Sequence, residues 1–196
     1  MRIGWMLTMA ALAIGGTALA SDSVAVPGSG TRFPTEVETS VGGRTVTLEL
    51  TGAVVRTRLF VNVYSIASYV QHGAGVTSAD ALARADCAKR LHLTMERTVD
   101  GKDMAEAFRS AIRQNHPEPA FTDEVNMLSQ YMRNMSIRKG EQIYLTHVPG
   151  IGLHCSVAGK ADLTIRNVRF SQAVWEIYLG RQNVGETIKK GLTSRL

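Results

Sequence analysis

Two arginines, Arg56 and Arg58, stand inside the apolar run from Gly52 to Val70, and no Asp or Glu occurs between Glu49 and Asp80 to neutralise either of them locally. A guanidinium presents its donors in a planar fork that fits a carboxylate or a phosphate, so an arginine in apolar surroundings is equipped to hold an anion. Burying one without a partner is expensive, and an acid from elsewhere in the chain or from a ligand must then supply the missing charge. The ordinary reading of an arginine near the start of a strand is a solvated residue whose stem lies on the sheet, and Arg58 is read in that way.

The remaining groups with chemical potential give weaker patterns. His147 and the His154-Cys155 pair match no metal-ligand spacing, and neighbours in a strand point to opposite faces, so no metal and no other cofactor is expected. Cys87 and Cys155 could form one disulfide in an oxidising compartment, which sequence leaves open. The connection Pro149-Gly150-Ile151-Gly152 opens no helix that could offer an N-terminus to an anion, so it reads as a hairpin turn. A Gly-x-Ser-x-Gly elbow, a His-Glu-x-x-His pair, a Walker loop and a dinucleotide-type glycine pattern are all missing from the sequence.

The elements that must position these residues follow from periodicity. Residues 33–40 and 44–50 alternate polar and apolar around Val41-Gly42-Gly43 and read as a hairpin. The run 52–70, rich in β-branched and aromatic residues, reads as one long bent strand or two strands in succession at the centre of a sheet. Ser78 caps a short helix over 79–86, and 90–99 forms a half-buried strand with Leu91, Leu93 and Met95 inward and His92 solvated. Asp100 caps a helix over 102–115 whose Met104, Ala107, Phe108, Ala111 and Ile112 share one face. A second helix over 122–135 buries Val125, Leu128, Met132 and Met135, the methionines serving as core filler. Strands over 142–148, 153–157 and 161–165 follow, and helices over 171–179 and 186–192 close the chain. Strands, two long helices, strands and helices in that order predict an α+β fold, a largely antiparallel sheet with helices layered on one face.

Residues 1–20 combine a basic start, an apolar stretch over 3–14 and Ala18-Leu19-Ala20, the pattern of a secretory signal peptide cleaved between Ala20 and Ser21. The stretch is too short for a stable membrane anchor, which implies a soluble periplasmic protein. Residues 21–32, small, polar and containing Pro and Gly, are expected to form a flexible N-terminal arm, and 33–196 a single domain. The formal charge of +5 is scattered along the chain, so no nucleic-acid partner is expected, and the sequence leaves protein partners open.

Several stretches in order resemble the chalcone isomerase-like family, in particular its exported bacterial branch. They are Phe33-Pro34, Gly52-Ala53-Val54-Val55-Arg56, Val63-Tyr64, Ser68-Tyr69-Val70, Lys89-Arg90-Leu91, Tyr144 with Pro149-Gly150-Ile151-Gly152, and the run Phe170 to Gly180. The resemblance spans about Phe33 to Leu192. It implies a large antiparallel sheet backed by helices, with a cleft between them for an apolar ligand. The family divides between plant enzymes that close a flavanone ring and relatives that bind fatty acids or have no known activity. Arg56 matches the arginine that both known branches use, and Tyr69 the tyrosine that the fatty-acid binders add.

The enzyme branch also carries a Tyr, a Lys and an Asn along the first long helix. With Asn115 aligned to that asparagine, Phe108 and Ala111 stand where the tyrosine and lysine belong. The groups expected to orient water and steady an ionised substrate hydroxyl are then missing. The resemblance therefore implies a non-catalytic binder of a small apolar carboxylate, with Arg56, Tyr69 and Asn115 as ligand-binding residues. The alternatives are an intramolecular lyase or isomerase that uses Arg56 with another acid-base group, and an envelope interaction or assembly protein with a vestigial cleft.

Overall fold

The β-branched and aromatic residues of the central run build two adjacent strands of a seven-stranded antiparallel sheet whose middle strand, expected to be this run, is instead Lys89–Met95. The computed structural model describes residues 22–160 and 162–196; the leader and the Ala20–Ser21 cleavage point lie outside the described residues. Strands β1 (Ser23–Ala25) and β2 (Arg32–Pro34) pair with each other, and β3 (Glu36–Val41), β4 (Arg44–Arg58) and β5 (Val61–Gln71) form a meander. Helix α1 (Ala79–Arg84) leads to β6 (Lys89–Met95), and β7 (Val99–Asp100) precedes helices α2 (Gly101–Asn115) and α3 (Thr122–Arg133). After β8 (Ser136–Ile137) come β9 (Gln142–Val148), β10 (Gly152–Val157), β11 (Leu163–Ile165) and helices α4 (Val168–Leu179) and α5 (Glu186–Leu192). The large sheet runs β11-β10-β9-β6-β5-β4-β3, and β7 pairs separately with β8.

The sheet alternates as a two-faced strand array should. On β6, Leu91, Leu93 and Met95 face the helices and join the main core with Phe108, Ile112, Leu128, Trp175 and Tyr178. The side chains of Leu48, Leu50, Ala67 and Tyr69 form a second core on the opposite face, under Val26 and Phe33 of the N-terminal segment. The helices thus lie on one face, as expected, and their caps are largely those read from the sequence. The amide of Ala81 donates to the Ser78 hydroxyl at 3.1 Å and that of Lys102 to the Asp100 carboxylate at 2.7 Å. Helix α4 starts earlier than expected because Asn167 caps it, accepting from the Phe170 amide at 3.0 Å.

The central run is two strands, not one. β4 and β5 turn at Leu59-Phe60, whose φ values of 50° and 66° are both left-handed. A bulge between Leu50 and Gly52 bends β4 where α5 crosses it. A Cβ on Gly52 would lie 2.1 Å from the Gly191 carbonyl oxygen, so no larger residue fits under the helix.

The expected flexible arm, residues 21–32, is replaced from Ser23 onward by the β1–β2 hairpin. Val26 and Phe33 are buried, and the Glu96 carboxylate accepts hydrogen bonds from Thr31 at 3.0 Å, from Ser65 at 2.5 Å and from Ser29. His92 also departs from expectation. It is wedged between the rings of Phe33 and Tyr144 at 4.9 and 4.5 Å, and burial lowers its pKa to about 4. Cys87 and Cys155 are free thiols.

Candidate functional site

A second irregularity in the β4–β5 pair decides which tyrosine stands beside Arg56. A two-residue turn at Leu59-Phe60 sets Arg58 opposite Val61 and Thr57 opposite Asn62, and undisturbed pairing would bring Val63 opposite Arg56. The register slips between Thr57 and Arg56, and Tyr64 takes that place. Because side chains alternate, the slip turns Tyr64, Ile66, Ser68 and Val70 toward the helices and Tyr69 away from them.

The Nη1 of Arg56 donates to the Tyr64 hydroxyl at 3.2 Å, and its guanidinium carbon lies 5.7 Å from the centre of the Tyr64 ring. Tyr178, fully buried on the inner side of α4, brings a second phenol beside Tyr64. Burial works against the Arg56 charge, but the Tyr64 and Tyr178 phenols outweigh it and hold the guanidinium above its ordinary pKa. Burial pushes the Tyr178 phenol well up, Tyr64 adds to that and Arg56 opposes it, so Tyr178 remains a protonated donor at neutral pH. Among the described residues, no carboxylate lies within ion-pair distance of Arg56.

These three polar groups line a cleft of about 910 Å³ between the β4–β5 pair and helices α2 and α4. Its apolar wall comes from Val63, Met104, Ala107, Phe108, Ala111 and Ile177. Exposed Arg58, Arg97, Asp100, Asp103 and Glu106 make the rim. An apolar wall with a few converging polar groups is the arrangement that seats a small molecule by its chain and orients it by its head. No group of His, Cys, Asp and Glu among the described residues is placed to hold a metal.

The expected site residues divide. Arg56 lines the cleft; Tyr69 and Asn115 do not. Tyr69 belongs to the core of the opposite face, where its hydroxyl donates to the Pro34 carbonyl at 2.9 Å. Asn115 is a clamp: its side chain donates to the Gln182 carbonyl at 2.7 Å and accepts from the Gln182 amide at 3.2 Å. With the His116–Glu176 pair at 2.5 Å it holds the end of α2 to α4 and to the loop after it, which sets the width of the cleft. Tyr64 and Tyr178 are the site residues that spacing did not single out. Phe108 and Ala111 do line the cleft, and no lysine does.

Comparison with known proteins adds the following. Residues 28–193 match the family model described as chalcone isomerase-like. No curated protein sequence matches the chain. Among solved structures, the crystal structure of the Arabidopsis thaliana fatty-acid binding protein superposes with a TM-score of 0.67 at 15% identity, covering 88% of this chain and 96% of that one. At that identity the likeness concerns the fold. With the family match covering most of its length, the chain belongs to the chalcone isomerase-like family.

Proposed function

We propose that this protein binds a small apolar carboxylate, of the fatty-acid kind, with the acyl chain along the apolar wall and the head on Arg56. The observation that carries this reading is Arg56 itself, a half-buried cation in an apolar cleft whose only polar side-chain contact among the described residues is the Tyr64 hydroxyl. An incoming carboxylate gains charge-assisted hydrogen bonds from the guanidinium, while Tyr64 and Tyr178 offer hydroxyls from the same side. The cleft volume falls within the range of small-molecule sites. The name of the structural neighbour, a fatty-acid binding protein, supports the same ligand class.

The binding role is non-catalytic in this reading, because Phe108 and Ala111 put hydrocarbon where ring closure calls for a phenol and an ammonium. One observation favours the second reading, an intramolecular lyase or isomerase: Tyr64 and Tyr178 return phenols to the side of Arg56 from other elements. We also propose that residues 1–20 direct export and that the protein works in the periplasm. No described helix is long and apolar enough to cross a membrane.

Native mass spectrometry of the purified protein tests the binding role. A co-purified carboxylate, or a one-to-one complex formed on adding a medium-chain fatty acid, supports it. A cleft that stays empty under both conditions refutes it.

A further inference from the structure

The turn between β4 and β5 is built from the wrong residues for a turn. Both central positions have left-handed backbone, which Asn-Gly adopts with ease and Leu-Phe adopts against steric resistance. The same residues are also fully in solvent: Leu59 is 84% exposed, Phe60 102% and the following Val61 51%. Backbone and solvent would both favour a small polar pair here, so the apolar side chains need a partner outside the fold.

Two cations stand behind this tip. Arg58 sits immediately before it, and Arg97 is brought alongside by the Glu96 amide, which donates to the Val63 carbonyl at 3.0 Å. Neither arginine has a carboxylate within ion-pair distance among the described residues. The acids of the cleft rim, Asp100, Asp103 and Glu106, lie across the cleft, on the start of α2 and the residue before it. Two or three apolar side chains at the end of a narrow hairpin offer too little area for a stable protein interface, which buries about 800 Å² per partner. They suit the headgroup–acyl boundary of a bilayer, with Arg58 a residue behind and Arg97 next to the strand at Val63 to meet anionic headgroups.

We propose that the β4–β5 tip is a reversible docking finger for an anionic lipid bilayer: Leu59 and Phe60 enter the acyl boundary while Arg58 and Arg97 engage the headgroups. Arg56 and Tyr64 lie on the same two strands, so docking presents the cleft mouth to the membrane. If the ligand is a fatty acid, which rests on the reading above, it can pass between bilayer and cleft without crossing water.

Co-sedimentation of the purified chain with vesicles tests the docking, using phosphatidylcholine alone and phosphatidylcholine mixed with phosphatidylglycerol. The parent is expected to bind the mixed vesicles and to bind pure phosphatidylcholine more weakly. Leu59→Asn with Phe60→Gly should weaken vesicle binding at least about tenfold. The same double variant should raise or hold the thermal midpoint, since Asn-Gly suits this turn, and leave fatty-acid affinity in solution unchanged. Arg58→Ser with Arg97→Ser should remove the preference for phosphatidylglycerol. Docking is refuted if the parent ignores anionic vesicles, if the Asn-Gly variant binds them as the parent does, or if the parent self-associates and that variant does not. Absence of fatty-acid binding by both proteins in solution would refute the ligand reading and leave the docking result standing.

Discussion

Tyr64 stands directly opposite Arg56 on the neighbouring strand, its hydroxyl 3.2 Å from the guanidinium, because the pairing of β4 and β5 slips by one residue beside the turn. Without the slip, Tyr64 would point to the far face and Tyr69 to the near one. A single irregularity therefore decides which tyrosine can touch a ligand.

The two tyrosines should separate cleanly on substitution. Tyr64→Phe removes a neutral hydroxyl from the cleft and should lower fatty-acid affinity by roughly two- to tenfold. Tyr69→Phe should leave affinity unchanged and cost about 1 kcal/mol of stability, since the Pro34 carbonyl loses its buried donor. Titration calorimetry and urea unfolding of both variants check this, and a loss of affinity in Tyr69→Phe with none in Tyr64→Phe would reverse the assignment.

Ring closure of a hydroxychalcone should proceed no faster with the protein than without it. The α2 wall offers Phe108 and Ala111, no lysine lines the cleft, and each missing electrostatic group of this kind typically costs roughly 10²-fold or more. A spectrophotometric assay at neutral pH decides the point; saturable turnover would move the isomerase reading to first place.

The acid limb of stability should carry a signature of His92. Between the rings of Phe33 and Tyr144 it stays neutral down to about pH 4, whereas the unfolded chain takes up that proton near its ordinary value of 6.5. The unfolded state therefore binds more protons in that window, and stability falls as pH falls through it. His92→Phe keeps the ring contacts and removes the titration, so its urea midpoint should drop less between pH 7 and pH 4.5 than the parent's. The difference should be on the order of 1 to 3 kcal/mol. Parallel slopes for the two proteins would show that His92 does not titrate with folding.

Expressed from residue 1 in an exporting bacterial host, the protein is expected to begin at Ser21. Intact mass measures this, and a full-length product would argue against cleavage.

Much of the fold was legible because its signals repeat. Leu91, Leu93 and Met95 mark β6 by strict alternation, and Met104 to Ile112 mark the buried stripe of α2. Arg56 was legible as a cation with no acid near it in sequence. Its partner was not, because the Leu59-Phe60 turn contains no turn-forming residue and a one-residue bulge leaves no trace in composition. Without the turn, no register could be counted, and the family resemblance alone pointed to Tyr69, which the structure places in the core of the opposite face. The N-terminal hairpin was missed for another reason. What orders it is Glu96, more than sixty positions away from Ser29 and Thr31, together with burial of Val26 under a sheet formed later in the chain. Asn115 was found as a residue of consequence but in a different role, since both ends of its amide are taken by the Gln182 backbone.

Titration calorimetry of a medium-chain fatty acid into the parent and into Arg56→Ala tests the central reading most directly. The substitution removes the cation that holds the head, where each charge-assisted hydrogen bond is worth about 1.5 to 3 kcal/mol, so affinity should fall at least about tenfold. Stability should change by less than about 1 kcal/mol, because Arg56 has no ion-pair partner among the described residues to lose. If Arg56→Ala binds the fatty acid as tightly as the parent, or unfolds under conditions where the parent is stable, the arginine serves the scaffold and the cleft does not hold a carboxylate through it.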